Sequence, residues 1–147
     1  MPQLLFLCTG NYYRSRFAEE LWNHLERIRP TGWWATSRGL YAACPDNIGP
    51  ISIHTLDGLA ERGIELRSPC RAPKQLELAD LESAALVVAM SDREHRPMLR
   101  SAFPTWTRSI EYWDVDDIDR VPASAALQNL TARLRALRER LSSRTEA

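Results

Sequence analysis

The most informative stretch of this chain is residues 8 to 15, which read Cys8-Thr9-Gly10-Asn11-Tyr12-Tyr13-Arg14-Ser15. An apolar stretch, residues 4–7, stands directly before this run, and apolar residues at helical spacing follow it over residues 17–28. The pattern predicts a strand, a tight loop and the start of a helix. A loop of this kind directs several backbone N–H groups and the positive end of the helix dipole at one point. The sequence therefore predicts an anion-binding loop that encloses a cysteine and an arginine.

Cys8 and Arg14, which are separated by five residues, have complementary chemistry in such a loop. A thiol held beside a helix N-terminus loses its proton readily, and the thiolate is the nucleophilic form. An arginine can hold two oxygens of a phosphate with its planar fork. The pattern thus indicates a nucleophile on the floor of an anion site. The alternative is that Cys8 is a small buried hydrophobic residue at a strand end, as free cysteines commonly are.

The composition is typical of an ordinary globular protein with one domain. The 147 residues are 44% hydrophobic and 26% charged, and the formal net charge of zero gives no indication of a nucleic-acid or membrane partner. No apolar run approaches the roughly 20 residues that span a bilayer. The first residues lack the basic segment and cleavage site of a signal peptide. We therefore predict a cytoplasmic protein with a single domain over residues 1–141 and a frayed tail over residues 142–147.

The cysteines argue against a disulfide framework and against a zinc site. There are three, Cys8, Cys44 and Cys70, an odd number with irregular spacing and no Cys-x-x-Cys pair. We expect Cys44 and Cys70 to be inert thiols, and we expect no metal and no cofactor.

Strand-like and helix-like segments alternate along the chain. Predicted strands cover residues 3–7, 33–37, 84–90 and 108–113, and predicted helices cover residues 14–29, 51–62, 76–81, 92–101 and 122–141. This order predicts an α/β fold in which a four-stranded parallel sheet is flanked by helices on both faces. Ligands of such folds bind beyond the C-terminal ends of the strands. Both the Cys8 loop and the residues after Trp113 lie at that edge.

The run from Cys8 to Ser15 resembles the signature loop of the low-molecular-weight protein tyrosine phosphatases and the related thioredoxin-coupled arsenate reductases. Three further segments are similar to landmarks of the same family in the same order, namely residues 37–39, 59–66 and 113–117. The resemblance covers nearly the whole chain. It implies the low-molecular-weight phosphatase type of fold and a reaction in which the Cys8 thiolate attacks phosphorus to form a phosphocysteine.

The resemblance also implies a general acid in the loop after the last strand. Asp117 aligns best with the family's aspartate, which protonates the leaving oxygen and then activates the water that releases phosphate. That aspartate is usually followed by proline, whereas Ile118 follows Asp117 in this chain. Asp116 is therefore the main alternative, with Asp114 and Asp119 behind it.

The same resemblance assigns roles to the rest of the loop. Backbone N–H groups of residues 9–14 are expected to hold the equatorial phosphate oxygens together with Arg14. Ser15 is expected to donate a hydrogen bond to the sulfur, and Asn11, which tolerates a positive φ, to hold the loop in a strained conformation and contact Ser37. The substrate-binding residues implied in this way are Thr9, Gly10, Asn11, Tyr12, Tyr13 and Ser15.

Several positions depart from the family's pattern. Tyr13 stands where relatives commonly have a second cysteine able to form a protective disulfide, and Ser68 replaces a common histidine. Residues 90–97 contain neither of the two cysteines that the arsenate reductases use, so arsenate reduction by that mechanism is not expected. Residues 118–122 contain no aromatic side chain, where phosphatases of the family often have tyrosines. These departures leave the natural substrate open.

We therefore predict a phosphatase that hydrolyses phosphomonoesters through a phosphocysteine, with protein phosphotyrosine as the expected substrate. Two alternatives remain: an arsenate (oxyanion) reductase that uses an external thiol, and a phosphate-binding module without catalysis. The expected partners are a phosphorylated protein or small phosphomonoester, and inorganic phosphate or another oxyanion in the loop. We expect a monomer or weak dimer that binds neither nucleic acid nor membrane.

Overall fold

The computed structural model describes residues 2–67 and 71–146, without the side chains of residues 143–146, and within this part four parallel strands form one sheet. The strands are β1 (Gln3–Cys8), β2 (Trp34–Gly39), β3 (Leu86–Ala89) and β4 (Glu111–Tyr112), in the spatial order β2-β1-β3-β4. The α-helices are α1 (Arg14–Ile28), α2 (Ile53–Glu61), α3 (Leu78–Ser83), α4 (Asp92–Ala102) and α5 (Ala123–Glu146).

Strand β1 lies inside the sheet and is covered on both faces. Leu4, Leu5, Phe6 and Leu7 are completely buried, as expected for a parallel strand between two layers of helices. Successive side chains point to opposite faces. Phe6 and Cys8 join the core formed with α1, α2 and α5, whereas Leu5 and Leu7 join the core formed with α3 and α4. The predicted α/β architecture with helices on both faces is therefore confirmed.

The carboxyl ends of the strands meet at one edge of the sheet. Cys8 pairs with Gly39 of β2, and Leu7 pairs with Ala89 of β3. The chain segments that leave this edge are residues 9–13, 40–52, 90–91 and 113–122. As the sequence predicted, the Cys8 loop and the acidic segment after Trp113 therefore extend from the same edge.

The last strand is much shorter than predicted. Only Glu111–Tyr112 pairs with β3, whereas the prediction covered residues 108–113. A 3-10 helix, Pro104–Ser109, occupies the first part of that stretch. Pro104 suits the first turn of a helix, and the Tyr112 hydroxyl donates to the carbonyl of Thr107 at 2.9 Å, which ties the helical turn to the strand.

Helix α5 extends to Glu146, five residues beyond its predicted end at Leu141. The backbone of residues 142–146, expected to be a frayed tail, is helical, because this stretch contains neither glycine nor proline to end the helix. Ala147 lies outside the described residues. Within residues 2–67 and 71–146, no helix combines the length and the apolar character needed to cross a membrane.

Candidate active site

Cys8 ends β1 and lies at the start of the loop that leads into α1. It is almost completely buried, with 2% of its surface exposed. Its Sγ lies 2.9 Å from the Oγ of Ser15. Because Asn11 Nδ2 donates to the same oxygen at 2.9 Å, the hydroxyl hydrogen of Ser15 can point to the sulfur. The contact between Ser15 and Cys8 implied by the resemblance is present, and a substrate has to place its reacting group inside the loop to reach the sulfur.

The carbonyl groups of the loop are held by the surrounding protein. The carbonyls of Thr9 and Gly10 accept hydrogen bonds from Tyr41 N–H at 2.7 Å and from Asn47 Nδ2 at 3.1 Å. Those of Tyr12 and Tyr13 accept from Ser52 N–H at 2.9 Å and from Thr55 Oγ1 at 2.8 Å. In a planar trans peptide the next N–H points the opposite way. The N–H groups of residues 10, 11, 13 and 14 are therefore turned away from these partners and toward the interior of the loop.

These N–H groups are available to a ligand. Those of residues 10, 11 and 13 find no acceptor among the residues that the structure describes. Buried N–H groups normally have a partner, and Asn11 is completely buried. A loop whose backbone N–H groups are unpaired among the described residues, and which begins at a thiol, is suited to the oxygens of a tetrahedral anion.

Asn11 holds the loop in its turn. Its φ of 50° lies in the left-handed region, which asparagine tolerates better than most residues. Its Nδ2 also donates to Ser37 Oγ at 2.9 Å, the second contact implied by the resemblance. Its Oδ1 accepts from Lys74 N–H at 3.0 Å and from Arg71 Nη1 at 3.2 Å. Both donors and both acceptor positions of the Asn11 amide are thus engaged.

Arg71 supports this network from outside the loop and was not recognised from the sequence. Its Nη2 donates to Ser37 Oγ at 3.0 Å and to Glu19 Oε1 at 3.2 Å. The chain therefore places an arginine beside Asn11, although the histidine common in relatives is missing from the sequence. No local signal distinguished Arg71 from the other arginines, since its partners lie 34 to 60 residues away along the chain.

The guanidinium of Arg14 is buried and already paired. Its Nη1 and Nη2 donate to the two carboxylate oxygens of Glu94, both at 2.9 Å. Nη1 also donates to the carbonyl of Val115 at 3.0 Å, and Nη2 lies 3.5 Å from Asp117 Oδ2. The sequence predicted Arg14 at the anion site but missed its carboxylate partner. The available signal was the position of Glu94 just after β3, at the edge where the Cys8 loop begins.

The carboxylate of Glu94 is held by further polar groups. The Thr9 hydroxyl donates to Glu94 Oε1, and Nε2 of His95 lies 3.1 Å from Thr9 Oγ1. Since His95 Nδ1 accepts from Ser91 N–H at 3.0 Å, the neutral ring carries its proton on Nε2. Burial lowers the pKa of His95. Burial raises the pKa of Glu94, but hydrogen bonds from His95 and Arg14 and the charge of Arg14 outweigh it and hold that pKa well below its usual range.

The acidic segment after β4 contains four aspartates, Asp114, Asp116, Asp117 and Asp119. Asp116 binds Arg93 at 3.2 Å, and Asp114 forms an ion pair with an arginine of α5. Asp117 is the member of this group that lies within 4 Å of Arg14, and its side chain is 39% exposed. The structure thus brings Cys8, Arg14 and Asp117 to one place and turns Asp116 to a different partner.

Tyr12 and Tyr13 lie in different surroundings. The hydroxyl of Tyr12 donates to the carbonyl of Ile48 at 2.6 Å, at the exposed rim of the loop. Tyr13 is 5% exposed and packs in the core, with its ring 5.7 Å from that of His54. Its buried hydroxyl has no hydrogen-bond partner among the described residues, and burial raises the pKa of Tyr13 to about 12. The side chain of Tyr13 therefore belongs to the core, while its N–H group belongs to the loop.

Of the other two cysteines, the structure describes Cys44. Cys44 is half-buried and forms no disulfide. Cys70 and Ser68 lie outside the described residues. The expectation that Cys44 and Cys70 are inert stays a prediction.

The parallel sheet and the Cys-x5-Arg loop between β1 and α1 together indicate that the protein is of the phosphatase class. The model of the family described as low molecular weight phosphotyrosine protein phosphatase matches residues 3–143. The chain therefore belongs to the low molecular weight phosphotyrosine protein phosphatase family, which confirms the resemblance seen in the sequence.

Similar proteins include tyrosine and arginine phosphatases. The structure of the low molecular weight protein tyrosine phosphatase from T. tengcongensis is 29% identical, with a TM-score of 0.76 over 98% of this chain and 99% of that one. The arginine phosphatase from Geobacillus stearothermophilus is 26% identical, with a TM-score of 0.71 over 99% of this chain and 94% of that one. A protein-arginine-phosphatase of Bacillus subtilis is 33% identical over 100 residues, which make up 68% of this chain and 62% of that protein. The matched region thus spans less than two thirds of this last relative.

Proposed function

We propose that the protein hydrolyses phosphomonoesters, with protein phosphotyrosine as its substrate, through a phosphocysteine formed on Cys8. The observation that carries this proposal is the loop itself. The N–H groups of residues 10, 11 and 13 have no acceptor among the described residues, and they lie between Cys8 at the start of the loop and Arg14 at its end. Such a loop stabilises the negative charge that spreads over three equatorial oxygens during phosphoryl transfer.

In the first step, the Cys8 thiolate attacks phosphorus. The S–P bond forms while the ester O–P bond breaks, and the electron pair of that bond leaves with the substrate oxygen. Asp117 gives its proton to this oxygen. The position of its carboxyl group, 3.5 Å from Arg14 and partly open to solvent, supports this role. The hydroxyl of the substrate is thereby released.

In the second step, water attacks the phosphocysteine. Asp117 takes a proton from the water, the S–P bond breaks, and its electron pair returns to the sulfur. The Ser15 hydroxyl, 2.9 Å from the sulfur, stabilises the thiolate as it leaves. Inorganic phosphate is the second product, and neither step calls for a metal ion or an organic cofactor.

The thiolate chemistry also supports a proposal about location and partners. A catalytic cysteine has to stay reduced, which favours the cytoplasm. We propose that the partners are a phosphorylated protein or a small phosphomonoester, and phosphate or another oxyanion bound in the loop. A monomer or weak dimer is sufficient for this activity, because Cys8, Arg14 and Asp117 come from one chain.

The purified protein should hydrolyse p-nitrophenyl phosphate in the presence of EDTA, and faster at mildly acidic than at alkaline pH. The acid that protonates the leaving oxygen has to carry its proton at the start of each turnover. Release of p-nitrophenol and of phosphate from a phosphotyrosine peptide measures the activity. Phosphate and vanadate should inhibit competitively, since both fit the loop.

The same assay separates the alternatives. Arsenate turnover that depends on an external thiol, without ester hydrolysis, would support an oxyanion reductase. Phosphate binding without turnover of any ester would support a phosphate-binding module. Either result would contradict the proposed activity.

Arg71 offers a test of the network behind the loop. We expect Arg71→Gln to lower kcat/KM for p-nitrophenyl phosphate roughly 5- to 10-fold, because Asn11 and Ser37 lose a charged donor and the turn at Asn11 is held less firmly. Arg67→Gln, at an exposed position on the same segment, is the matched control and should change kcat/KM less than about twofold. Equal losses in the two variants would show that Arg71 has no special role.

Phosphoarginine is a second candidate substrate. Two similar proteins are named arginine phosphatases, and the partly exposed carboxylate of Asp117 at the site could pair with a substrate guanidinium. Initial rates on a phosphoarginine and a phosphotyrosine peptide of otherwise identical sequence decide between the two. A rate ratio above about tenfold in favour of phosphoarginine would replace the phosphotyrosine proposal.

A further inference from the structure

We propose that Glu94 is a positioning residue, which holds the guanidinium of Arg14 so that its Nε–Nη2 edge faces an oxyanion in the loop. The inference rests on the proposed function for the identity of that oxyanion, a phosphoryl group in turnover and inorganic phosphate at equilibrium. The contact that prompts it is the two-bond ion pair between Glu94 and Arg14, at 2.9 Å for each bond.

A count of donors identifies the edge of Arg14 that is left for a ligand. A guanidinium has five N–H groups. Both hydrogens of Nη1 are used, one by Glu94 Oε2 and one by the Val115 carbonyl, and one hydrogen of Nη2 is used by Glu94 Oε1. The hydrogen on Nε and the second hydrogen on Nη2 remain, and among the described residues they make no hydrogen bond. These two hydrogens lie side by side on one edge of the planar group and can grip two oxygens together.

Asp117 marks the same edge. Its Oδ2 lies 3.5 Å from Nη2, beyond the usual range of a hydrogen bond but close enough for an ion pair. An oxyanion held by the Nε–Nη2 edge therefore lies next to the candidate acid. The terminal fork of Arg14, which would otherwise be the obvious phosphate grip, faces Glu94 on the other side.

Glu94 is itself held in place. It lies in the first turn of α4, where its N–H donates to the Oγ of the N-cap residue Ser91 at 3.2 Å. Its carboxylate also accepts from Thr9, whose hydroxyl is bridged to His95. Because Thr9 begins the loop and Arg14 ends it, Glu94 connects both ends of the loop to α4. This arrangement fixes the orientation of Arg14 before any anion arrives.

Three variants test the proposal. Glu94→Gln keeps the size of the side chain but removes its charge, and Glu94→Asp keeps the charge but shortens the reach to Arg14. Asp92→Asn is the matched control, since Asp92 is exposed, lies in the same helical turn and pairs with the half-buried Arg96. For each variant we would measure kcat and KM with p-nitrophenyl phosphate, the Kd of inorganic phosphate by calorimetry, the Ki of vanadate and the thermal midpoint Tm.

Both Glu94 variants should lower kcat about 10-fold and raise the Ki of vanadate by a similar factor. The Kd of phosphate should rise less, about threefold, because vanadate resembles the transition state and depends more on the orientation of the arginine. Asp92→Asn should leave kcat, KM, the Kd of phosphate and the Ki of vanadate within about twofold of the wild type. A change in folding alone lowers Tm but does not alter the ratio of vanadate to phosphate affinity, so this ratio reports positioning.

Two results would overturn the proposal. If Glu94→Gln binds phosphate and vanadate as tightly as the wild type, Glu94 does not position Arg14. If the Glu94→Gln variant binds phosphate and vanadate more tightly than the wild type, Glu94 competes with the anion for Arg14 instead of orienting Arg14 toward the anion. Phosphate binding does not require turnover, so a wild type that binds phosphate without hydrolysing esters would refute the proposed function and still leave Glu94 testable by calorimetry.

Discussion

Replacing Cys8 by serine is expected to lower the turnover of p-nitrophenyl phosphate by at least about 10⁴-fold, the scale seen when an enzyme loses its nucleophile. A serine hydroxyl at this position is not ionised, and the hydrogen-bonding neighbour of Cys8, the hydroxyl of Ser15, is not a base that could activate it. Phosphate binding should persist, because the N–H groups of the loop and Arg14 are unchanged. Initial rates and the Kd of phosphate measure the two effects separately.

Cys44→Ser provides the control for a general effect of cysteine substitution. Cys44 is half-buried, and its replacement should keep the wild-type rate within about twofold. Full activity in the Cys8 variant would refute the phosphocysteine mechanism. Loss of phosphate binding in that variant would show instead that the sulfur is needed to maintain the loop.

Replacing Asp117 by asparagine is expected to lower kcat roughly 10²- to 10³-fold on a phosphotyrosine peptide. The amide cannot protonate the leaving oxygen, although it has nearly the same shape as the carboxyl group. The loss should be smaller on p-nitrophenyl phosphate, whose leaving group needs less help from an acid. Initial-rate assays on both substrates measure these changes.

Asp116→Asn is the matched control, because Asp116 binds Arg93 rather than Arg14. It should change kcat by less than about twofold. If Asp116→Asn reduces kcat strongly and Asp117→Asn does not, the acid is Asp116. That result would mean that the segment after β4 rearranges when the substrate binds.

The parts of the site that depend on local order could be predicted from the sequence. The apolar run of β1, the glycine and asparagine of the loop and the helical pattern of α1 follow one another without interruption, so the position of Cys8 and Arg14 at the edge of the sheet could be predicted. The resemblance to the family pointed to Asp117, and in the structure that carboxylate lies beside Arg14.

The residues that were missed act across long separations in the chain. Glu94 is 80 positions from Arg14, and Arg71 is 60 positions from Asn11. Their roles depend on how α4 and the segment before α3 pack at the edge of the sheet, and no local pattern records that packing. The length of β4 was overestimated for a related reason. Residues 108–113 are strand-like in composition, but only two of them pair with β3.

The outward attachment of the loop carbonyls has a thermodynamic consequence. Four of them are bound by residues between positions 41 and 55, so the backbone of the loop loses its conformational freedom when the chain folds and not when phosphate arrives. A preorganised backbone leaves only the anion to be immobilised and desolvated. Binding of so small a ligand should therefore leave amide hydrogen exchange in residues 41–55 almost unchanged, with added protection confined to the N–H groups of the loop itself.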